Sequence, residues 1–346
     1  MFVVTIRFII GRLVNRLITL LMLVLFSFLV FELIPQSLGF KLGFFFVGIT
    51  QLNPKTAQAQ LAAVDAAEQA YGLNAPIPIR IAKFLYNLFT LHFGMSPTYK
   101  EPVLTVISQY LPNTLVLVTV SLVTTSVISI VLGVVAAKSF LKSRWKVGDK
   151  VASLTSIGAY FIPAFWLGII MYVVLAAQLH WFPINLFFAL RGGGLHNYTG
   201  VEYYLRYLWA ASLPIILLTI VGFGHRQQLI RNNIIEEYNS AGYVMYARAR
   251  GLDENSVFYR HAFRNALLPW VTQVGLDVAF LIYGVFFVET IFQFPGLGIV
   301  TTEAATSFDI PLLIGSTFLF SVYILVVLFA LDFVYALLDP RVRLGE

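Results

Sequence analysis

The sequence predicts an all-α integral membrane protein of about six transmembrane helices, and three observations carry that expectation. Of 346 residues, 59% are hydrophobic and only 12% are charged, against about 25% charged in a soluble domain. Mean hydropathy is +0.82, and the apolar residues gather into runs long enough for roughly 30 Å of hydrocarbon at 1.5 Å per residue. Lysines and arginines lie between those runs, unequally on the two sides. The net charge of +6 is therefore a matter of loop placement and implies no nucleic-acid partner. With no cysteine and five scattered histidines, the chain offers no disulfide, thiolate site or metal-ligand spacing. It also lacks a glycine-rich phosphate loop ending in Gly-Lys-Ser or Gly-Lys-Thr, so no cofactor is expected on this chain.

The first element is the apolar run Leu13–Ile34, preceded by Arg7, Arg12 and Arg16. Its length, and the poor cleavage site at Phe31-Glu32-Leu33-Ile34-Pro35, favour a retained helix over a signal peptide. Residues 1–34 thus read as a cytoplasmic N-terminus and first span. Residues 35–112 read as a helical extracytoplasmic subdomain, too long for an ordinary loop. Thr56–Tyr71 is alanine-rich and ends at Gly72 as a C-cap; after the Asn74–Pro78 turn, Ile79–Leu91 forms a second helix. Phe44–Val47 is too short to span. Covering helix ends and docking a partner are equally open roles for this subdomain.

Residues 113–346 hold the remaining five spans: Thr114–Ala137, Ser153–Leu179 with a kink at Pro163, Leu208–Gly224, Trp270–Phe292 and Leu312–Leu338. Gly192-Gly193-Gly194 marks a flexible turn between spans three and four, near an Asn197-Tyr198-Thr199 sequon of a kind that often arises by chance. Six spans put both termini on one side. The segments on that side hold Arg7, Arg12 and Arg16; Lys138, Lys142, Arg144, Lys146 and Lys150; Arg226, Arg231, Arg248, Arg250, Arg260 and Arg264; and Arg341 and Arg343. The two short loops opposite hold only Arg191 and Arg206, so the termini and the polar stretch Glu236–Pro269 are expected in the cytoplasm.

That stretch carries the most information. Glu236–Arg250 is helix-permissive, and Gly251 stops it with positive φ. Asp253 is the N-cap of the next helix, with Glu254 in its first turn. Arg260 and Arg264 fall on one face, with Val257, Phe258 and Ala262 toward another. From pattern alone, a rigid helix docked on a partner and a basic amphipathic helix lying on anionic lipid are equally good readings.

Several blocks resemble one family: YGLNAPIPIR, HFGMSPTYKEPVLTVISQYLPNTL, ARARGLDENSVFYRHAFRNALLP, FVETIFQFPGLGIVTTEAATSFDIPLL and LDFVYALLDPRVR. They are similar to the membrane-spanning permease subunits of binding-protein-dependent ATP-driven (ABC) importers, nearest to the first permease of oligopeptide and dipeptide systems. The chain departs from the general pattern in two places. Aligned on Gly251, the usual Glu-Ala-Ala is Met245, Tyr246 and Ala247, and the turn after span one is Pro35-Gln36-Ser37-Leu38.

The resemblance implies a second homologous permease, two ATPase subunits carrying ATP and Mg, and an extracytoplasmic substrate-binding protein, all in the lipid bilayer of the cell membrane. It implies that cytoplasmic coupling helices seat on the ATPases through Ala247, Ala249, Arg250, Gly251, Leu252, Asp253 and Glu254. It also implies that the loop holding Glu289, Phe292, Pro295, Gly296 and Gly298 faces the loaded binding protein. Asp277, an intramembrane acid, and Gln273 one turn away are assigned to the translocation path in preference to a helix–helix contact. Asp332, with Tyr335, Asp339 and Arg341, is assigned to anchoring. The branch also carries nickel and oligosaccharides. Rival classes are an ion-driven secondary transporter, which calls for internal duplication, and a membrane scaffold anchored by its basic loop.

Overall fold

The computed structural model describes residues 6–47, 57–142, 146–184 and 200–338. These form helices and turns, joined among the described residues by a single isolated β-bridge, Met95 to Pro102. The Gly192–Gly194 turn, the Asn197 triplet, Asp339, Arg341 and Arg343 lie outside them.

In order, the helices are α1 (Ile6–Phe28), α2 (Ile34–Ser37), α3 (Gly43–Val47), α4 (Ala57–Tyr71), α5 (Ile77–Phe89), α6 (Val103–Lys142), α7 (Val147–Phe161) and α8 (Ala164–Met171). There follow α9 (Val201–Ser240), α10 (Gly242–Ala249), α11 (Glu254–Ser256), α12 (Arg264–Ile291), α13 (Leu297–Ser307) and α14 (Ile310–Leu338). Among the described residues three wide π turns, Leu29–Leu33, Tyr172–Gln178 and Val257–Phe263, are inserted after α1, α8 and α11.

Four helical segments among the described residues are long and apolar enough to cross a membrane: Ile9–Ser37, Val103–Lys142, Val201–Ser240 and Ile310–Val334. A fifth is added if α7 and α8 with its π turn count as one broken span. The kink expected at Pro163 is a bend of 97°. Its cause is local: Ile162 takes an extended ψ of 124°, as the residue before a proline tends to do. The run expected as span five forms α12, 28 residues long. Spans two and four extend well beyond their expected ends, to 40 residues each. In α9 the buried positions continue past Gly224 at helical spacing through Gln227, Ile230, Ile234 and Tyr238, so the helix has a face to bury and runs on to Ser240.

The chain divides into two compact units. One is built from Ile10–Leu115 and Pro295–Val326. Within it α4 ends at Gly72, whose φ is +69°; the N–H of Leu73 donates to the Glu68 carbonyl (2.8 Å) and that of Gly72 to Gln69 (3.1 Å). This is the paired Schellman closure that a glycine favours. α5 buries Arg80, Phe84 and Leu88, one turn apart, and Arg80 forms a buried ion pair with Glu32 at 2.6 Å. Gly315 on α14 lies so close to α6 that a Cβ there would stand 2.8 Å from Val103.

The other unit is Met1–Ile9, Val116–Phe294 and Val327–Glu346. Here α9 packs along α7 and α12. Gly224 lets it approach α7, since a Cβ at that position would overlap the Ser156 carbonyl. The Ser156 hydroxyl donates to the Gln227 amide oxygen beside it. Lower on the same helices, Arg231 grips Asp149 and lies over the Phe140 ring at 5.0 Å.

Candidate functional site: an exposed helical turn and a polar pocket

Both candidate sites lie in the second unit. The first follows α9. The single helix expected from Glu236 to Arg250 is interrupted at Ala241, which is extended (φ −75°, ψ 124°). The reason is burial: by turning there, the chain places Tyr238 on one helix and Val244 and Ala247 on the next into one apolar cluster with Val257, Phe258 and Ala262.

From that cluster α10 runs outward to a second Schellman closure. Gly251 has φ +75°, its N–H donates to Arg248 (2.8 Å), and the Leu252 N–H donates to Ala247 (3.3 Å). Asp253 caps α11 as the sequence predicts, accepting from the Asn255 N–H at 3.0 Å. Glu254 accepts from the Tyr238 hydroxyl and pairs with Arg248 at 3.3 Å, while the Arg248 guanidinium sits 4.1 Å from the Tyr238 ring centre. Tyr243 donates to Glu237; burial, and then the Glu237 bond, push its hydroxyl up to about 12.

Lys138 and Lys142 on α6 reach the same turn, donating to the Tyr259 hydroxyl (2.8 Å) and the Asn255 side-chain oxygen (3.4 Å). These polar and ring contacts hold the turn on its inner side. Its outer side stays bare: Ala249, Arg250, Gly251, Leu252, Asp253 and Glu254 are all exposed. Ala247 is not part of that surface; it is buried at 3% exposure because it faces the cluster.

The second site lies between α9 and α12. Asp277 accepts from Arg226 Nε at 2.6 Å and from Gln273 Nε2 at 2.8 Å. It therefore makes the helix–helix contact that the sequence reading ranked second. The same three residues line a pocket of about 390 Å³.

Arg226, counted from sequence among the loop charges, is instead 2% exposed inside α9. The missed signal was Asp277 itself, since an acid in an apolar helix calls for a cation within reach. Asp332 on α14 is buried.

The residues assigned to a binding-protein-facing loop are largely turned inward. Glu289 and Phe292 are 0% and 3% exposed, and Gly296 and Gly298 are buried. The left-handed residue of the turn is Gln293 (φ +46°), not either glycine; Gly296 has φ −110° and Gly298 is inside α13. Pro295 is half-buried, its carbonyl accepting from Asn113 at 2.7 Å.

Residues 129–344 match the family described as binding-protein-dependent transport system inner membrane component. The chain belongs to that family. The matched range contains both the Gly251 turn and the Arg226–Asp277 pocket, so the two sites are features of the transport component proper. Relatives extend the likeness toward the N-terminus. The oligopeptide transport system permease protein AppB of Bacillus subtilis is 33% identical over 293 residues, 84% of this chain and 88% of its own. The dipeptide transport system permease protein DppB of Lactococcus lactis is 29% identical over 340 residues, 98% of this chain and 100% of its own. The unit holding α4 and α5 thus has a counterpart in the second of these transport components.

Proposed function

We propose that the chain is the membrane-spanning permease of an ATP-driven peptide importer. With a second, similar permease it forms the path for oligopeptides delivered by an extracytoplasmic binding protein, while two ATPase subunits bind and hydrolyse ATP with Mg. The observation that carries this is the bare turn Ala249–Glu254, held from behind and lying in the family-matched range. A turn anchored by Arg248, Tyr238 and both lysines of α6 moves as one body with α9 and α12. A partner that pushes on it tilts the helices that bear the pocket.

The names of the relatives supply the substrate class. Both termini and the turn are assigned to the cytoplasm, residues 35–112 to the outer side, and the Glu289–Gly298 segment to the face toward the binding protein. Its inward side chains give that segment shape and leave backbone and loop edges for contact.

The test is to tag the chain in its native membrane, solubilise gently and identify what purifies with it. In parallel, uptake of labelled trialanine is measured with and without the gene. An ATPase and a second permease in the purified complex, with uptake lost on deletion, are expected. A chain that purifies alone, with peptide uptake unchanged by deletion, overturns the reading.

A further inference from the structure

In the first unit, α5 turns its charge inward and its apolar side chains outward. Of its 13 residues, Arg80 is 4% exposed, whereas Ile79, Tyr86 and Phe89 are 58%, 67% and 51% exposed. At about 3.6 residues per turn, Ile79, Ala82, Tyr86 and Phe89 form one exposed arc, and Arg80, Phe84 and Leu88 form a buried one. A helix on a watery surface does the reverse with Arg80 and the exposed arc: the arginine faces out and the apolar arc is covered.

The buried face fixes the depth at which α5 sits. The Phe84 ring meets Phe28 edge-on with centres 5.3 Å apart, and Arg80 pairs with Glu32 at 2.6 Å. At the other end Phe89 meets Phe318, ring centres 6.0 Å apart. Phe28 and Glu32 belong to the membrane-crossing segment Ile9–Ser37 and Phe318 to Ile310–Val334. Counted from Ser37 and Ile310, Phe28 and Phe318 lie about 13 and 12 Å along their helices at 1.5 Å per residue. Centred on roughly 30 Å of hydrocarbon, these segments overhang each end by only about 7 and 4 Å. Both rings, and the helix packed on them, therefore fall below the hydrocarbon edge.

The polar edge of α5 points the other way. Lys83, Asn87 and Thr90 share a cavity of about 630 Å³ with His92, Pro102 and Thr105, the last two at the start of α6, where that span ends. An arginine neutralised on the inside, an apolar arc outside and a polar edge toward the span ends suit a helix lying in the membrane surface layer.

We infer that α5 is embedded in the interfacial layer of the bilayer at that end of the spans, with Ile79, Ala82, Tyr86 and Phe89 against lipid acyl chains. The partner of this face is lipid. The helix thereby pins the subdomain that follows span one to the membrane, whatever solute is carried.

The absence of cysteine allows a direct test in the complete importer, reconstituted in vesicles of phosphatidylcholine and phosphatidylglycerol. Single nitroxide labels are placed by Ile79→Cys, Tyr86→Cys and Phe89→Cys, and relaxation by oxygen and by water-soluble chromium oxalate is measured for each. Met22→Cys, at a position 66% exposed inside span one, gives the lipid reference. Asn74→Cys, at an exposed turn, gives the aqueous one. Oxygen is expected to relax the three α5 labels comparably to Met22→Cys, and chromium oxalate several-fold less than Asn74→Cys. Chromium relaxation equal to that at Asn74→Cys would put the arc in water and overturn the inference. Shielding from both reagents would overturn it too, assigning the arc to a protein partner, the second permease or the binding protein.

Discussion

A charge buried in an apolar helix is stable only with its counter-charge in reach, and the first unit answers that requirement with Glu32 and Arg80. Their side chains are 7% and 3% exposed and 2.6 Å apart, with Arg80 also donating to Gln36 (2.5 Å) and lying 5.6 Å from the Phe28 ring centre. The π turn Leu29–Leu33 carries Glu32 among its residues, and such inserted turns re-aim a side chain that regular spacing would send elsewhere. Removing one partner strands the other. Arg80→Met is expected to destabilise the purified protein by about 3–5 kcal/mol, whereas Arg80→Met with Glu32→Leu should recover most of that. Thermal unfolding in detergent reads both. A double variant as unstable as the single one would show that Arg80 acts through packing and not through charge. Asp277→Asn tests the corresponding pair in the second unit. It should lower stability by a similar amount through loss of the Arg226 counter-ion, and an unchanged melting profile together with unchanged uptake would remove Asp277 from both structure and path.

At the scale of elements, the turn at Gly251 is the part most legible beforehand. Glycine followed by Leu-Asp-Glu reads as a helix stop and a new helix start from local chemistry alone, and the φ of +75° and the Asp253 cap agree with it. Gly72 was legible for the same reason. The break at Ala241 was not, because alanine carries no stop signal and the bend is imposed by the distant cluster around Phe258. Span ends were misjudged for a related reason. Gln227 and Arg226 look like the water-facing end of a helix, yet each finds a polar partner inside the protein, Ser156 and Asp277 respectively. No local pattern shows a partner some 50 or 70 residues away. The glycine yields a direct test of the coupling assignment. A Cβ at Gly251 meets nothing within 4 Å, so Gly251→Val adds no clash and only the left-handed strain of roughly 1–2 kcal/mol. Membrane insertion should stay normal while the Ala249–Glu254 edge shifts, giving weaker co-purification of the ATPase and slower uptake. Gly251→Asn, which tolerates this backbone region, should lie between valine and glycine. If the turn is a lipid anchor instead, valine is silent and neutralising Arg260 and Arg264 is what releases it.

For the whole molecule the open question is which face meets the cytoplasm, and the second unit sharpens the argument from loop charge. Lys138 and Lys142 touch Tyr259 and Asn255, and Arg231 reaches Asp149 beside Lys146 and Lys150. Basic segments about a hundred residues apart in sequence therefore meet at one end of the unit. A concentration of cations at one end of a membrane bundle marks the side retained in the cytoplasm. Because the chain has no cysteine, single replacements report on sidedness without a background. Asn255→Cys is exposed at that basic end and should resist a membrane-impermeant maleimide in intact cells, becoming reactive only once the membrane is opened. Gly193→Cys, in the short segment between Trp181 and Val201, should react from outside in both conditions. Labelling of Asn255→Cys in intact cells would place the Ala249–Glu254 turn outside. That turn would then be beyond the reach of any ATPase and would have to serve the extracytoplasmic partner instead.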